Sequence, residues 1–163
     1  MDHSATTVFN SPLEAGLRVL ALLIESFPQS MDLQKLVFLD FLAVHSQDAD
    51  GPISLHPPTP HRSAELVLRR DLLEQGALLM MSRGLVSRAF HESGFLYGAT
   101  EEAGSFFISL KAPYTVALRD RVKWVMATFG ANTSEELRGF FNRNLDRWGG
   151  EFALASTYEE VAP

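Results

Sequence analysis

The chain lacks cysteine and any long apolar run. Without cysteine, its 163 residues cannot form a disulfide, provide a thiolate metal ligand or supply a thiol nucleophile. The longest dense apolar run, Val19–Ile24, is far shorter than the ~20 residues that a membrane span needs. The first residues also lack the basic and apolar parts of a signal peptide. We therefore expect a soluble, cytoplasmic protein that makes no membrane contact.

Positive charge is also scarce. The chain has 14 Lys and Arg residues against 20 Asp and Glu residues, so its formal net charge is −6. A protein that binds DNA non-specifically gains most of its affinity from cations that neutralise phosphates. A local basic patch can still override the total charge. The charge balance therefore weakens the case for DNA binding without removing it.

Motifs that carry chemistry are missing as well. The sequence contains no G-x-S-x-G nucleophile elbow, and no serine stands in the context of a catalytic triad. Neither of the glycine-rich phosphate motifs, G-x-x-x-x-G-K-[ST] and G-x-G-x-x-G, occurs. We therefore predict no catalytic residue and no cofactor, and any ATPase involved in the function must be another chain.

The N-terminal part of the sequence predicts two helices. Ser11 can cap the first helix, Pro12 suits its first position, Glu14 fits a capping box, and Pro28 ends it. A second helix is predicted from about Asp32 to His45. Its apolar residues surround most of its circumference, so we expect it to be central in the core.

A long loop, Ser46–Arg62, is predicted next, because it contains one glycine and four prolines that disfavour regular structure. Structureless loops of this length inside a compact domain are usually functional or disordered. The residues that predict the loop are Gly51, Pro52, Pro57, Pro58 and Pro60.

A third helix is predicted from its cap at Ser63 to about Arg83, with Gly84 at the left-handed position just past its end. Its apolar residues cover two faces, so we expect a central helix that is buried on both sides. Two runs rich in strand-forming residues, Leu85–Phe90 and Phe95–Ala99, then predict a β-hairpin.

The rest of the sequence predicts further helices. One starts at Thr100 and ends before Pro113, the next covers Pro113–Phe129, and the last covers Ser134–Trp148 with Ser134 as its cap. The expected fold is mainly α with a small β-hairpin. We interpret it as an N-terminal tail (1–10), a winged-helix-like core (11–112), a helical extension (113–150) and a C-terminal tail (151–163).

Four stretches resemble one known family. They are FNSPLEAGLRVL, LDFLAVHSQD, LHPPTPHRSAELVLRRDLLEQGALLMMSRGLV and YGATEEAG. They are similar to the middle component (type 2) of bacterial ABC three-component conflict systems, the Lamassu-like defence operons. The resemblance extends from about Phe9 to near Trp148. It implies a winged-helix-like accessory protein that works between an SMC-type ABC ATPase and an effector subunit, commonly a nuclease. It brings no catalytic motif with it.

One group of histidines and aspartates has the residue types of a metal or acid–base site. Imidazole and carboxylate together suit zinc or non-haem iron, but the spacing matches no rigid ligand template. We favour the simpler interpretation that His45 packs at a helix end while His56 and His61 form hydrogen bonds with loop carbonyls. No metal site is predicted. The group comprises His45, Asp48, Asp50, His56 and His61.

The loop Ser46–Arg62, called the proline-rich loop from here on, is the predicted contact surface for protein partners. A loop that is already ordered loses less entropy on docking. Trp148, beside two glycines near the chain end, is a candidate exposed anchor. The loop residues predicted to make contact are His56, Pro57, Pro58, Thr59, Pro60, His61 and Arg62.

DNA contact through the third helix and the hairpin is the alternative. Its candidate residues are Arg69, Arg70, Arg83 and Arg88. Acidic residues alternate with these arginines and cancel their positive field. A recognition helix normally follows a turn of only ~3–4 residues, whereas the third helix here follows the long loop Ser46–Arg62. These features disfavour DNA contact, and the resemblance implies a non-enzymatic adaptor of a defence complex, with any DNA contact indirect. The alternative function is a winged-helix DNA-binding transcriptional regulator.

Overall fold

Helices make up most of the structure, a computed structural model that describes residues 11–58 and 62–144 but not the side chains at 62–65. The helices are α1 (Pro12–Ser26), α2 (Leu33–Val44), α3 (Arg62–Ser82), α4 (Ala103–Ser109), α5 (Pro113–Phe129) and α6 (Ser134–Arg143). The strands are β1 (Met31–Asp32), β2 (Val86–His91) and β3 (Gly94–Ala99), which form an antiparallel sheet in the order β1-β3-β2. The predicted fold class, mainly α with a small β-hairpin, is confirmed.

The first and last of these helices have side-chain caps at their N-termini. The hydroxyl of Ser11 accepts a hydrogen bond from the backbone N–H of Glu14 at 3.2 Å, as predicted. At α6 the predicted cap, Ser134, is wrong by one position. Thr133 is the N-cap, and it exchanges hydrogen bonds with Glu136 in a complete capping box.

The third helix begins and ends close to the predicted limits. It starts at Arg62, one residue before the predicted cap at Ser63. Gly84, with a φ of 70°, takes the predicted left-handed position just past the end of the helix. The start of the predicted long loop is not irregular, because Ser46–Ala49 forms a 3-10 turn.

The sheet has one strand more than the predicted hairpin. Met31 and Asp32 pair with Tyr97 and Leu96, so β1 lies along the free edge of β3. A strand of two residues is too short to show the alternation of apolar and polar side chains by which strands are recognised. Its formation depends on the position of β3, which is remote in sequence.

Helix α2 lies at the centre of the hydrophobic core, as predicted. Every residue from Leu36 to Val44 is buried. Phe141 of α6 packs on Phe38 and Phe41 of α2, with ring centroids 4.7 and 5.4 Å apart. Helices α5 and α6 therefore contribute to the same core as the N-terminal helices.

Helices α1 and α3 approach so closely at Gly16 and Gly76 that neither position has room for a side chain. A Cβ atom on Gly76 would lie 2.8 Å from the carbonyl carbon of Ala15. A Cβ atom on Gly16 would lie 2.9 Å from the carbonyl oxygen of Gly76. Glycine at both positions sets the distance between the two helices.

The prediction that α3 is buried on both sides is wrong. Its core-facing stripe contains Leu73, Ala77 and Met80, whereas Val67 and Leu68 on the other side are exposed. Residues spaced by three and four positions lie on one face of a helix, and the buried Leu73, Ala77 and Met80 have that spacing. The face that carries Val67 and Leu68 is not covered by the core. Helix α3 thus has an outward face that is partly apolar.

Candidate functional site

An ionic cluster of Arg18, Asp40 and Arg69 lies inside the molecule. These side chains come from α1, α2 and α3, and they are 2%, 0% and 7% exposed. The Nε atom of Arg18 donates to one carboxylate oxygen of Asp40 at 2.7 Å, and Nη1 of Arg69 donates to the other oxygen. One carboxylate therefore connects three helices.

The charges in this cluster stabilise one another. Burial by itself would raise the pKa of Asp40, but Arg18 and Arg69 outweigh it and hold that pKa below its ordinary value. Burial likewise works against a charged Arg18, yet Asp40 and Tyr114 keep its pKa above the ordinary value. Arg18 and Asp40 are therefore charged at neutral pH, and two guanidinium groups share one carboxylate.

His56 connects the proline-rich loop to the ionic cluster. Its Nε2 atom lies 2.7 Å from the hydroxyl oxygen of Tyr114 on α5, and the two rings are stacked with centroids 5.9 Å apart. The same hydroxyl is hydrogen-bonded with Arg18. Burial and then the charge of Arg18 lower the pKa of His56 to about 4, and burial raises the pKa of Tyr114 to about 12. Both rings are therefore neutral at physiological pH.

His45 is buried at the C-terminal end of α2, as predicted. Its ring packs against Phe41 and His56, with centroids 4.8 and 6.2 Å apart. For His56 we expected loop carbonyls as partners. The structure instead shows a hydroxyl from α5, a partner that no local pattern indicated.

The arrangement does not favour acid–base or metal chemistry. A cavity of about 360 Å³ lies beside His45, Asp48 and His56. A general base works best with a pKa near the operating pH, and the pKa of His56 is far below it. Among the side chains that the structure describes, no group of three or more His, Asp or Glu is placed to hold a metal ion.

The first part of the proline-rich loop is fixed to the helices. The backbone N–H groups of Leu55 and His56 both donate to the carbonyl oxygen of Val44 at 3.0 Å. The Nε atom of Arg121 on α5 donates to the carbonyl oxygen of Ile53 at 2.7 Å. The loop is therefore held by α2 and α5 just before it reaches Pro57 and Pro58.

The predicted contact residues have different environments. His56 points inward to Tyr114, whereas Pro57 and Pro58 are exposed. Arg62 is the first residue of α3, and its side chain is not described. Outside the described residues lie Thr59, Pro60, His61 and Trp148.

The candidate DNA-binding arginines do not form one basic patch. Arg69 is buried in the ionic cluster, and Arg70 donates at 3.2 Å to the side-chain oxygen of a glutamine on α2. The guanidinium of Arg88 lies over the ring of Phe95, 4.1 Å from its centroid. Arg83 is exposed just beyond the end of α3.

Sequence reasoning missed the ionic cluster, although the sequence contains a signal for it. Asp40 interrupts the apolar run LVFLDFLAV, and Arg18 interrupts LRVLALLI. A charge in a helix that is buried all round requires a partner of opposite charge. Pairing these interruptions would have identified the ionic cluster.

No helix in the described part of the chain is both long enough and apolar enough to cross a membrane.

The described residues form a mainly helical protein whose buried charges connect its helices. Residues 8–151, most of the chain, match the family described as ABC-three component (ABC-3C) system Middle Component 2. The protein therefore belongs to the Middle Component 2 family of ABC-3C systems. Comparison with curated proteins found no match, and comparison with solved structures found none either.

Proposed function

We propose that this protein is a non-enzymatic adaptor that joins an SMC-type ABC ATPase to a nuclease-like effector subunit in a complex that acts against phages or plasmids. The observation that carries the proposal is membership of the middle-component family over residues 8–151. The name of the family implies work with the other components of an ABC-3C system. The adaptor is cytoplasmic in this proposal.

The proline-rich loop is the proposed docking site, together with Trp148. Its support is the contrast within the loop: His56 is anchored inside on Tyr114, while Pro57 and Pro58 face solvent. A loop that is fixed before its partner arrives loses less conformational entropy on binding. The docking residues include Thr59, Pro60, His61 and Arg62.

The same anchoring offers a way to relay movement. A partner that displaces the loop pulls on His56, and through Tyr114 on Arg18 and the rest of the ionic cluster. Because the ionic cluster connects α1, α2 and α3, movement of the ATPase would reach the far side of the adaptor. Effector release or assembly is the proposed output.

Co-expression of the tagged protein with the ATPase and effector encoded beside it tests the proposal. We expect both to co-purify with the wild type, and the variant Pro57→Asp/Pro58→Asp to lose one of them. Lys111→Asp, an exposed change remote from the loop in sequence, is the control. A wild type that retains neither component contradicts the adaptor function. Unchanged binding by the loop variant contradicts only the docking site.

A DNA-binding regulator is the second candidate, and the observation that favours it is a long helix followed directly by a hairpin. We infer a winged-helix-like core from the same order of elements. Against DNA contact, the outward face of α3 combines Asp71 and Glu74 with the apolar Val67 and Leu68. Salt-dependent binding of duplex DNA that Arg70→Ala and Arg83→Ala weaken would support this candidate. Absence of binding at low salt would reject it.

A further inference from the structure

One face of the β2–β3 hairpin begins in the core and ends in solvent. Alternate residues of a strand share a face, and directly paired residues of neighbouring strands share the same face. On this face Val86 and Tyr97 are buried, whereas Phe90 and Phe95 at the far end are 79% and 45% exposed. The cross-strand pairs on this face are Val86 with Ala99, Arg88 with Tyr97, and Phe90 with Phe95.

The far end of this face, the hairpin tip, consists of Arg88, Phe90 and Phe95. The two phenyl rings meet edge to face, with centroids 5.7 Å apart and an interplanar angle of 78°. The guanidinium of Arg88 lies 4.1 Å from the centroid of Phe95. These contacts hold the three side chains in place before any partner arrives. Phenylalanine and arginine are both enriched in protein–protein interfaces.

We propose that the hairpin tip inserts into an apolar pocket, edged by a carboxylate, on another protein component of the same ABC-3C system. The apolar pocket covers the rings of Phe90 and Phe95, and the carboxylate pairs with Arg88. This inference rests on the adaptor function proposed above, and it adds a second contact surface to the proline-rich loop.

The size of the hairpin tip argues for a larger partner and against a second copy of this chain. Aromatic side chains bury roughly 150–250 Å² each, so the two rings of the tip together bury about 500 Å² at most. A stable interface needs about 800 Å² from each partner. Two tips meeting each other would fall short of that area. The tip is instead an anchor within an interface that is completed by other surfaces.

The charge of the hairpin tip argues against nucleic acid. Phosphate binding requires several cations in a row. The turn of the same hairpin carries Glu92, which is exposed and acidic. A protein pocket with one carboxylate matches a single cation over an aromatic pair.

Binding of the wild type and of tip variants to the purified ATPase and effector, measured by biolayer interferometry, tests the proposal. Phe90→Ser is expected to raise the Kd for one component about tenfold or more, and Arg88→Glu to raise it for the same component. Ile108→Ser, which alters another exposed apolar residue, on α4, is the control and is expected to leave Kd unchanged. Circular dichroism checks that each variant is folded.

The outcomes separate this inference from the adaptor proposal. If the wild type binds a component and Phe90→Ser binds it equally well, the role of the hairpin tip is overturned while the adaptor function stands. If the wild type binds neither component, both are overturned. Self-association in analytical ultracentrifugation that Phe90→Ser abolishes would assign the tip to a second copy. Duplex DNA binding that depends on Phe90 would assign it to nucleic acid.

Discussion

The imidazole of His56 and the phenol of Tyr114, which are 58 positions apart in the chain, meet at 2.7 Å inside the protein. Since the phenol is also hydrogen-bonded with Arg18, it links the proline-rich loop to the ionic cluster. An oxygen that accepts from the guanidinium can still donate its hydrogen to a neutral imidazole. The hydrogen bonds of Tyr114 with His56 and Arg18 therefore help to fix where the exposed part of the loop begins.

Removing the Tyr114 hydroxyl should loosen the loop. In Tyr114→Phe the imidazole of His56 loses a buried partner, which costs about 1–3 kcal/mol of the free energy of unfolding. Urea denaturation measures this loss, and hydrogen exchange should show faster exchange at the amides of Leu55 and His56. Thr128→Ala removes an exposed hydroxyl that bonds within its own helix and should change stability by less than about 0.5 kcal/mol. Unchanged protection of the two amides in Tyr114→Phe would show that the contact does not hold the loop.

Mild acid should destabilise the protein through His56. Its pKa is about 4 in the folded protein against an ordinary value of 6.5, so the unfolded chain binds the extra proton first as the pH falls. Stability is fully present above pH 6.5 and is lost as the pH falls towards 4, by about 3 kcal/mol for this group alone. The charged or titratable groups around it are Arg18, Asp40, His45, Arg69 and Tyr114.

Urea unfolding at a series of pH values between 4 and 7 measures the slope of the free energy of unfolding against pH. In His56→Gln the slope should shrink, because glutamine does not titrate. Thr128→Ala, which removes an exposed hydroxyl and no titratable group, is the control and should keep the wild-type slope. A His56→Gln variant with the full slope would assign the pH dependence to another group.

Breaking the ionic cluster should lower the free energy of unfolding more than a change at the surface does. Asp40→Asn leaves two buried guanidiniums without their carboxylate, and removing one partner of a buried ion pair costs about 3–5 kcal/mol. Asp120→Asn removes a carboxylate that is paired with Arg121 at the surface and should cost less than about 1 kcal/mol. Thermal unfolding of both variants makes the comparison. Equal melting temperatures would mean that the ionic cluster does not hold the helices together.

A single methyl group between α1 and α3 should disrupt their packing. The Cβ of Gly76→Ala would collide with the backbone at Ala15 and Gly16, which cannot move aside like a flexible side chain. Overpacking of this kind costs about 1–3 kcal/mol, although alanine is the better helix former. Gly104→Ala, where a Cβ meets nothing within 4 Å, should be neutral or stabilising. If Gly76→Ala is also stabilising, the helices are not in close contact there.

Local signals predicted the ends of the elements well and the contacts between them poorly. Ser11 and Gly84 were recognisable because a cap or a left-handed turn depends on the few residues around it. The partners of Asp40 are 22 and 29 positions away, and no short pattern connects them. The order and type of the elements, and with them the fold class, could therefore be predicted from the sequence, whereas the contacts of Asp40 could not.

The outward face of α3 shows the same limit. Val67 and Leu68 are apolar, and apolar residues on two faces predicted a helix buried on both sides. Which face is covered depends on where α1 and α2 lie, and that is decided by the close approach at Gly76 and the pairing of Arg69 with Asp40. For the candidate site, the sequence indicated the proline-rich loop but not its anchor on Tyr114.

The most direct test of the adaptor function is to determine the composition of the complex with and without this chain. The ATPase and effector of the same ABC-3C system would be co-expressed, purified through a tag on the ATPase, and weighed by native mass spectrometry. We predict that the effector is present in the complex only when the middle component is present. An ATPase–effector complex that forms equally well without this chain would contradict the account.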